Sequence, residues 1–341
     1  MRICICGGGN LGHVVAGFIA SQGEHEVMVL TRQPERWSNQ LLIDCPDGQL
    51  TGTLYGIFSQ AEQAVPQADV VLLCLPGFSI REVLQQIKPY LSSHTAVGSV
   101  VSSTGFFFAA QEILSPTTPL FGFQRVPFIS RIVEYGHRAR LMGYKNGLKM
   151  AVEQSEHPEQ LCQMFEQLLA TPVSLLHSHY EASLSNSNPL LHPARLYTLW
   201  ENWHEGITYD HNPLFYEEWT DEASQMLIDM DREFFLLLDK LPVTPGSIVP
   251  ILDYYESFDA PSLTRKLRSI EAFKGIRSPM KEVSGSYIPD FSSRYFTEDF
   301  PYGLAIICQQ ARKEGIQTPI IEKVLSWGLE KIKQSSTANT L

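Results

Sequence analysis

The glycine-rich stretch Gly7-Gly8-Gly9-Asn10-Leu11-Gly12 directly follows a short apolar run, Ile3 to Cys6. A continuous apolar run of this length is typical of a strand covered on both faces in a parallel sheet. After the glycines, apolar residues recur at helical spacing, at Leu11, Val14, Val15, Phe18 and Ile19. Gly23 stands where that helix would end. The sequence therefore predicts a strand, a tight turn and a helix, the start of a βαβ unit.

Similar alternation continues through the first half of the chain. Further strands are predicted at Val27 to Leu30, Val70 to Leu75, Thr95 to Val101, Leu120 to Val126, Ala139 to Tyr144 and Val173 to Leu176. These runs are enough for one open, doubly wound parallel sheet of the Rossmann type. We place this first domain at residues 1–184.

The pattern changes near residue 185 to long helical segments. They are predicted at Pro193 to His204, Leu214 to Leu241, Ser262 to Ala272, Pro301 to Gly315 and Pro319 to Lys333. The sequence thus predicts an α/β protein whose second domain, residues 185–341, is mainly α-helical.

Composition excludes several classes of protein. The 341 residues carry a formal net charge of −11, which would repel a phosphate backbone, so nucleic acid is not expected as a partner. The apolar runs are far shorter than the ~20 residues that cross a bilayer, so no membrane association is expected either. The six cysteines show no metal-site spacing, and no metal is assigned. We expect a cytoplasmic protein and leave its oligomeric state open, with a homodimer among the options.

The glycine stretch satisfies G-x-G-x-x-G in the context that a dinucleotide site requires. Gly7 would allow the tight turn, Gly9 the close approach of a pyrophosphate, and Gly12 the packing of helix on strand. Amides of the first helical turn, at Asn10 and Leu11, would hold the phosphates. The alternative is a glycine-rich turn that binds nothing, which the flanking strand and helix disfavour.

The end of the second predicted strand bears on the choice of cofactor. An NAD site usually has an acidic residue there, whereas this chain has Thr31 and Arg32, with Arg36 one helical turn later. A hydroxyl and two guanidinium groups suit a 2′-phosphate, so NADP(H) is preferred over NAD(H). Arg32 could instead be a solvated loop residue. Leu75 and Pro76 end a later strand at the same edge of the sheet and are further cofactor-binding candidates.

Two segments of the second domain could supply a substrate site across the crevice from the cofactor. One is Asn186-Ser187-Asn188-Pro189-Leu190-Leu191-His192-Pro193, which is expected to place a histidine just before a helix. The other is Arg294-Tyr295-Phe296-Thr297-Glu298-Asp299-Phe300-Pro301-Tyr302-Gly303-Leu304, where charged residues lead into an apolar helix.

With these motifs, the sequence resembles the opine dehydrogenase family, also called the octopine and nopaline dehydrogenase family. The resemblance covers most of the chain, although residues 100 to 180 do not align and the chain is shorter than many members. It implies that small molecules, an amino acid or related amine and a 2-oxo acid, are joined reductively with NAD(P)H. It also implies that His192 is catalytic, that Asp299 orients it, and that Arg294 binds a carboxylate.

The chemistry asks for such groups independently of the resemblance. Loss of water from a carbinolamine needs a proton donor, and histidine both accepts and gives protons near neutral pH. A carboxylate such as Asp299 would fix its tautomer, and Arg294 could bind an oxo-acid carboxylate through two hydrogen bonds. Each residue also has a structural alternative. His192 could be a helix-entry residue, Asp299 an N-cap, and Arg294 the partner of Glu298 in a surface ion pair.

Two other functions remain open at this point. A ketopantoate-type 2-oxo-acid reductase would reduce a ketone without an amine. Such enzymes typically use a helix lysine with an asparagine one turn later, and no lysine here has that neighbour. A non-catalytic NADP-binding regulator is the second alternative, since a fold alone does not imply an activity.

Overall fold

The chain forms two compact units in the computed structural model, which describes residues 1–338. The first unit is Met1–Ser185, and the second begins at Asn186. The first is an α/β unit and the second is mainly helical, so the predicted fold class is confirmed. Residues 339 to 341 of the predicted second domain lie outside the described residues.

The first unit contains twelve strands and six α-helices within the described range. Its strands are β1 Arg2–Cys6, β2 Glu26–Leu30, β3 Gln40–Cys45, β4 Gly48–Thr53, β5 Gly56–Phe58, β6 Val70–Leu73, β7 Ala96–Ser99, β8 Leu120–Phe123, β9 Phe128–Glu134, β10 Arg138–Tyr144, β11 Leu148–Glu153 and β12 Val173–Leu175. Its helices are α1 Asn10–Ser21, α2 Ala61–Ala64, α3 Gly77–Ile87, α4 Phe106–Ile113, α5 Pro158–Leu169 and α6 His179–Leu184. Short 3-10 turns lie at Pro34–Arg36, Val65–Gln67, Lys88–Tyr90 and Ser102–Thr104.

The main sheet has the strand order β12-β11-β8-β7-β6-β1-β2-β5. β1 lies between β2 and β6 and runs parallel to both, with Ile5 opposite Val29 and Leu72. Alternate residues of these strands enter two separate cores, one with α1 and α5 and one with α3 and α4. Both faces are therefore covered, which explains the continuous apolar runs. The pattern is not parallel throughout, because β11 runs antiparallel to β8.

A second sheet, with the order β4-β3-β10-β9, covers the outer face of α1. The prediction that Ala139 to Tyr144 belongs to the doubly wound sheet was wrong, because that segment is β10 of this second sheet. Small residues allow the close packing. A Cβ at Gly17 would lie 2.6 Å from the Ile43 side chain. As a result, α1 is buried continuously from Gly12 to Ala20 rather than along one stripe.

The second unit is built from helices and one hairpin. Its helices are α7 Asn188–Trp200, α8 Asp221–Leu238, α9 Ile251–Tyr254, α10 Ala260–Ser269, α11 Arg294–Thr297, α12 Ala305–Lys313 and α13 Pro319–Ala338. A 3-10 turn lies at Glu271–Phe273, and a π-helical turn at Phe300–Leu304 precedes α12. The hairpin pairs β13 Met280–Val283 with β14 Ser286–Pro289.

Two predicted helix boundaries in this unit were wrong. The helix predicted at Pro193 begins at Asn188, with Pro189 in its first turn and Pro193 inside it. Proline is best tolerated in the first turn, so Pro189 is the residue that marks the start. The helix predicted from Leu214 begins only at Asp221, where the side chain of Thr220 accepts a hydrogen bond from the Ala223 amide. Residues 214 to 219 instead form an ordered loop.

No helix within residues 1–338 is both long and apolar enough to cross a membrane.

Candidate active site

The glycine loop lies at the carboxyl end of β1, between β2 and β6. Gly7 has a φ of +125°, and a Cβ there would lie 2.5 Å from the carbonyl oxygen of Cys74. A Cβ at Gly12 would collide with the Gly7 carbonyl, so the helix can start this close to the strand only with glycine. Among the described residues, nothing lies within 4 Å of a Cβ position at Gly9, so the loop is open on that side.

These features fit the pyrophosphate of a nicotinamide dinucleotide. Gly9 is the N-cap residue of α1, so the first amides of the helix, those of Asn10 and Leu11, face the open side. The side chains of these two residues hold the loop in place. Asn10 accepts a hydrogen bond from the Ile132 amide of β9 at 2.8 Å, and Leu11 packs against the core.

His13 holds the glycine loop in place through its two ring nitrogens. Its Nδ1 donates to the Gly9 carbonyl at 2.9 Å, and its Nε2 accepts from the Gly136 amide at 2.7 Å. Burial lowers the pKa of His13, which keeps the ring neutral as these two bonds require. This role could not be predicted from the sequence, because Gly136 belongs to the distant turn between β9 and β10.

The three residues predicted to determine the cofactor preference, Thr31, Arg32 and Arg36, lie just after β2. Thr31 is buried, and its hydroxyl lies 3.4 Å from that of Tyr135. Arg32 is exposed. Arg36 lies over the Tyr135 ring, with its Cζ 4.5 Å from the ring centroid, and donates to Gln33. Tyr135 was not predicted as a site residue, yet it contacts two of these three positions.

Leu75 and Pro76 follow β6 at the same edge of the sheet. The amide of Cys74 donates to the Cys6 carbonyl at 2.8 Å, which keeps this segment beside the glycine loop. Both residues are half-buried, and Pro76 is the N-cap residue of α3.

In the second unit, the structure brings His192 and Asp299 together. Nδ1 of His192 lies 2.8 Å from Oδ2 of Asp299, and the His192 residue is 9% exposed. An ionised carboxylate only accepts hydrogen bonds, so Nδ1 carries the proton and Nε2 is left as an acceptor. The catalytic roles predicted for the two residues stay predictions.

Close packing of two helical segments explains this contact. Gly303, in the π-helical turn, approaches Pro189 so closely that a Cβ on it would lie 2.7 Å from the proline ring. Pro189 precedes His192 by about one helical turn, and Asp299 precedes Gly303 by a similar distance. The two motifs found in the sequence are therefore the two surfaces of one contact.

Asp299 is the N-cap residue of the π-helical turn, as its structural alternative proposed. Among the described residues, however, its side chain caps no backbone amide. The carboxylate contacts His192 instead.

The third residue at His192 is Tyr216, whose hydroxyl lies 3.0 Å from Nε2. It lies in the loop that was predicted to be the first part of the helix from Leu214 to Leu241. Phe215 and Tyr295 complete an aromatic wall, with ring centroids 5.7 and 4.6 Å from the His192 ring.

Arg294 lies at the start of α11. Its side chain is 85% exposed, and Nη2 is 3.9 Å from Oε1 of Glu298. The surface ion pair considered from the sequence is thus present, although an exposed pair of this kind contributes little. Its exposure leaves the guanidinium accessible to a ligand, and carboxylate binding stays a prediction.

Comparison with known proteins gives matches over both units. A family profile described as "NAD/NADP octopine/nopaline dehydrogenase, alpha-helical domain" matches residues 175–332. A second, described as "NADP oxidoreductase coenzyme F420-dependent", matches residues 2–103. An octopine dehydrogenase of Mizuhopecten yessoensis is 28% identical, over 97% of this chain and 90% of that protein. A tauropine dehydrogenase of Arabella iricolor is 27% identical, over 95% and 90%.

Solved structures agree with these sequence matches. Octopine dehydrogenase with NADH and L-arginine superposes with a TM-score of 0.85 at 27% identity, covering 98% of this chain and 90% of that one. Its complex with NADH and pyruvate gives 0.83 at 26%, covering 97% and 89%. A ketopantoate reductase from Ralstonia eutropha, at 15% identity and a TM-score of 0.61 over 98% and 100%, shares the fold alone. The chain therefore belongs to the opine dehydrogenase family of NAD(P)-dependent oxidoreductases that act on CH–NH bonds.

Proposed function

We propose that the protein joins the amine of an amino acid, or a related amine, to a 2-oxo acid and reduces the resulting imine to an opine. The observation that carries the proposal is the 2.8 Å contact of His192 with Asp299, in a chain that also has an open glycine loop. The octopine dehydrogenase relatives add support, because their solved complexes contain NADH with L-arginine and NADH with pyruvate.

His192 is the general acid and base in this proposal. Asp299 holds the proton on Nδ1, so the proton that is exchanged during the reaction is the one at Nε2. The ring accepts a proton from the attacking amine and returns one when the carbinolamine loses water. Arg294 binds a substrate carboxylate through its exposed guanidinium.

The cofactor is held by the first unit. We assign its binding to Gly7, Gly9, Asn10, Leu11 and Gly12, with Leu75 and Pro76 at the neighbouring strand end. Bound NAD(P)H supplies the hydride that reduces the C=N bond. We further propose a preference for NADP(H) over NAD(H), supported by Arg32 and Arg36 at the end of β2, where an NAD site usually has a carboxylate.

The stoichiometry of NADPH oxidation tests the proposed reaction. Pyruvate or 2-oxoglutarate is offered with a panel of amino acids and amines that includes L-arginine and agmatine. Oxidation is expected only when both the amine and the oxo acid are present, with a secondary amine as product, because the imine forms from both. Each substrate alone is the control.

Two outcomes would contradict this function. Fast oxidation with the oxo acid alone, giving a hydroxy acid, would identify a ketone reductase of the ketopantoate type. NADPH binding without oxidation by any pair would favour a non-catalytic regulator.

A further inference from the structure

The hydroxyl of Tyr216 contacts Nε2 of His192, the ring nitrogen that Asp299 leaves available to a substrate. Asp299 takes Nδ1 at 2.8 Å, and Tyr216 lies 3.0 Å from Nε2. A group that approaches Nε2 therefore meets the tyrosine hydroxyl. Either Tyr216 swings away before each turnover, or the proton travels through it.

The packing around Tyr216 opposes movement. Its ring stacks on Phe273 with centroids 4.0 Å apart and planes at 17°, and lies parallel to the Trp219 ring at 6.0 Å and 6°. Tyr216 is only 4% exposed. Displacing it would break two aromatic contacts and expose a large apolar surface.

The backbone that carries Tyr216 is fixed to the helix that carries His192. Arg195 lies one turn after His192 on α7 and is 2% exposed. Its Nε donates to the Phe215 carbonyl at 3.3 Å, and its Nη2 donates to the Glu218 carbonyl at 2.6 Å. These bonds hold the loop on both sides of Tyr216. The Phe215 amide also donates to the Ile276 carbonyl at 2.7 Å.

We infer that the Tyr216 hydroxyl is a catalytic group that carries the proton between Nε2 of His192 and the substrate oxygen. This inference rests on the proposed function. A phenol hydroxyl can donate and accept at the same time, so it can serve His192 in both protonation states. Neutral His192 accepts from it, and protonated His192 donates to it.

Loss of water from the carbinolamine illustrates the step. The O–H bond of Tyr216 breaks as its proton moves to the departing hydroxyl, whose C–O bond breaks to release water. The nitrogen lone pair of the substrate forms the new C=N bond, so the nitrogen takes up the positive charge as an iminium. The phenol oxygen takes the Nε2 proton of His192, so Tyr216 ends neutral and His192 loses one positive charge. Burial raises the pKa of Tyr216, which keeps it protonated before and after this transfer.

The test is Tyr216→Phe, which keeps both stacking contacts and removes only the hydroxyl. The expected result is a fall in kcat of about 10²-fold or more, with NADPH affinity and thermal melting nearly unchanged. The solvent isotope effect on kcat, measured in mixtures of H2O and D2O, should curve in the wild type, because two protons move together. Tyr197→Phe is the matched control, since Tyr197 is also buried in this unit but packs on Trp327, and it should keep wild-type kcat.

The outcomes separate this inference from the proposed function. If Tyr216→Phe keeps or raises kcat while His192→Ala is inactive, the hydroxyl only covers Nε2 and the inference is wrong. A linear isotope dependence in the wild type, which indicates a single moving proton, would also overturn it. If His192→Ala is as active as the wild type, the proposed function loses its central residue.

Discussion

The contact with Asp299 determines which ring nitrogen of His192 carries the proton. The carboxylate accepts from Nδ1, and this leaves Nε2 as the nitrogen that would exchange protons in the proposed reaction. Asp299→Asn tests this role, because asparagine keeps the size of the side chain but has no negative charge. Residues that act through one proton should behave as a unit when they are mutated.

We predict that His192→Ala lowers kcat by about 10²- to 10⁴-fold and that the double variant with Asp299→Asn is scarcely slower than His192→Ala alone. Steady-state NADPH oxidation with amine and oxo acid measures this. NADPH affinity, which we assign to the first unit, serves as the control and should not change. An Asp299→Asn enzyme with nearly wild-type kcat would show that the carboxylate is not needed for proton transfer.

Sequence motifs could identify His192 and Asp299 as candidate site residues, because each lies in a distinctive stretch of sequence. Tyr216 could not be identified in this way. Its contact with His192 depends on Arg195, which donates to two loop carbonyls, and a backbone carbonyl leaves no trace in the residue types around it. Aromatic residues in that loop also resembled the apolar positions of a helix.

Among the secondary-structure elements, α8 carries a carboxylate whose burial has a cost. Oδ2 of Asp231 accepts a hydrogen bond from the Ile251 amide at the start of α9, at 3.0 Å. Burial raises the pKa of Asp231 to about 6. A carboxyl whose pKa is raised by folding favours the folded state most below pH ~4, where it is protonated in both states. That benefit is lost as the pH rises to about 6.

We therefore predict that Asp231→Asn, which keeps an acceptor for Ile251, is more stable than the wild type above pH 6 by roughly 1 to 3 kcal/mol. The difference should shrink toward pH 4. Urea unfolding followed by tryptophan fluorescence measures it, because Trp200, Trp203, Trp219 and Trp327 all belong to the second unit. Asp229→Asn, at a partly exposed position of the same helix, is the control. Equal differences at pH 4 and pH 7.5 would contradict the prediction.

Prediction of the elements succeeded where one physical signal dominated. Continuous apolar runs located β1, β2 and β6, because strands buried on both faces leave no polar positions. β10 alternates buried and exposed residues, and alternation indicates one covered face without telling which sheet the strand joins. At α7, both Pro189 and Pro193 could mark the start of the helix. The packing of Gly303 on Pro189 favours the start at Pro189.

For the whole molecule, the change from short apolar runs to long helical periods near residue 185 was visible in the sequence, because it reflects two different kinds of core. The second sheet was not visible as a separate layer. Its residues pack on the outer face of α1, and only Gly17 and its small neighbours, Ala16 and Ala20, hinted that a further layer lies there.

The net charge of the chain and the local charge at the end of β2 have opposite effects on the binding of the extra phosphate of NADP(H). A formal charge of −11 disfavours the extra phosphate of NADP(H), so any preference for it must come from nearby cations. Arg32 and Arg36 are both exposed, but Arg36 is already held over the Tyr135 ring and donates to Gln33. Arg32 is therefore the residue whose removal should matter most.

We predict that the wild type binds NADPH more tightly than NADH and that Arg32→Ala reduces this preference by roughly ten- to a hundredfold, because a charge-assisted contact is lost. Fluorescence titration with each cofactor measures both affinities. Arg140→Ala, the same change of charge at an exposed position of β10, should leave the preference intact. Added salt should weaken the binding of NADPH more than that of NADH, since the arginine and phosphate charges are screened. Equal wild-type affinities for the two cofactors, or a preference independent of salt, would mean that the residues at the end of β2 do not bind the 2′-phosphate.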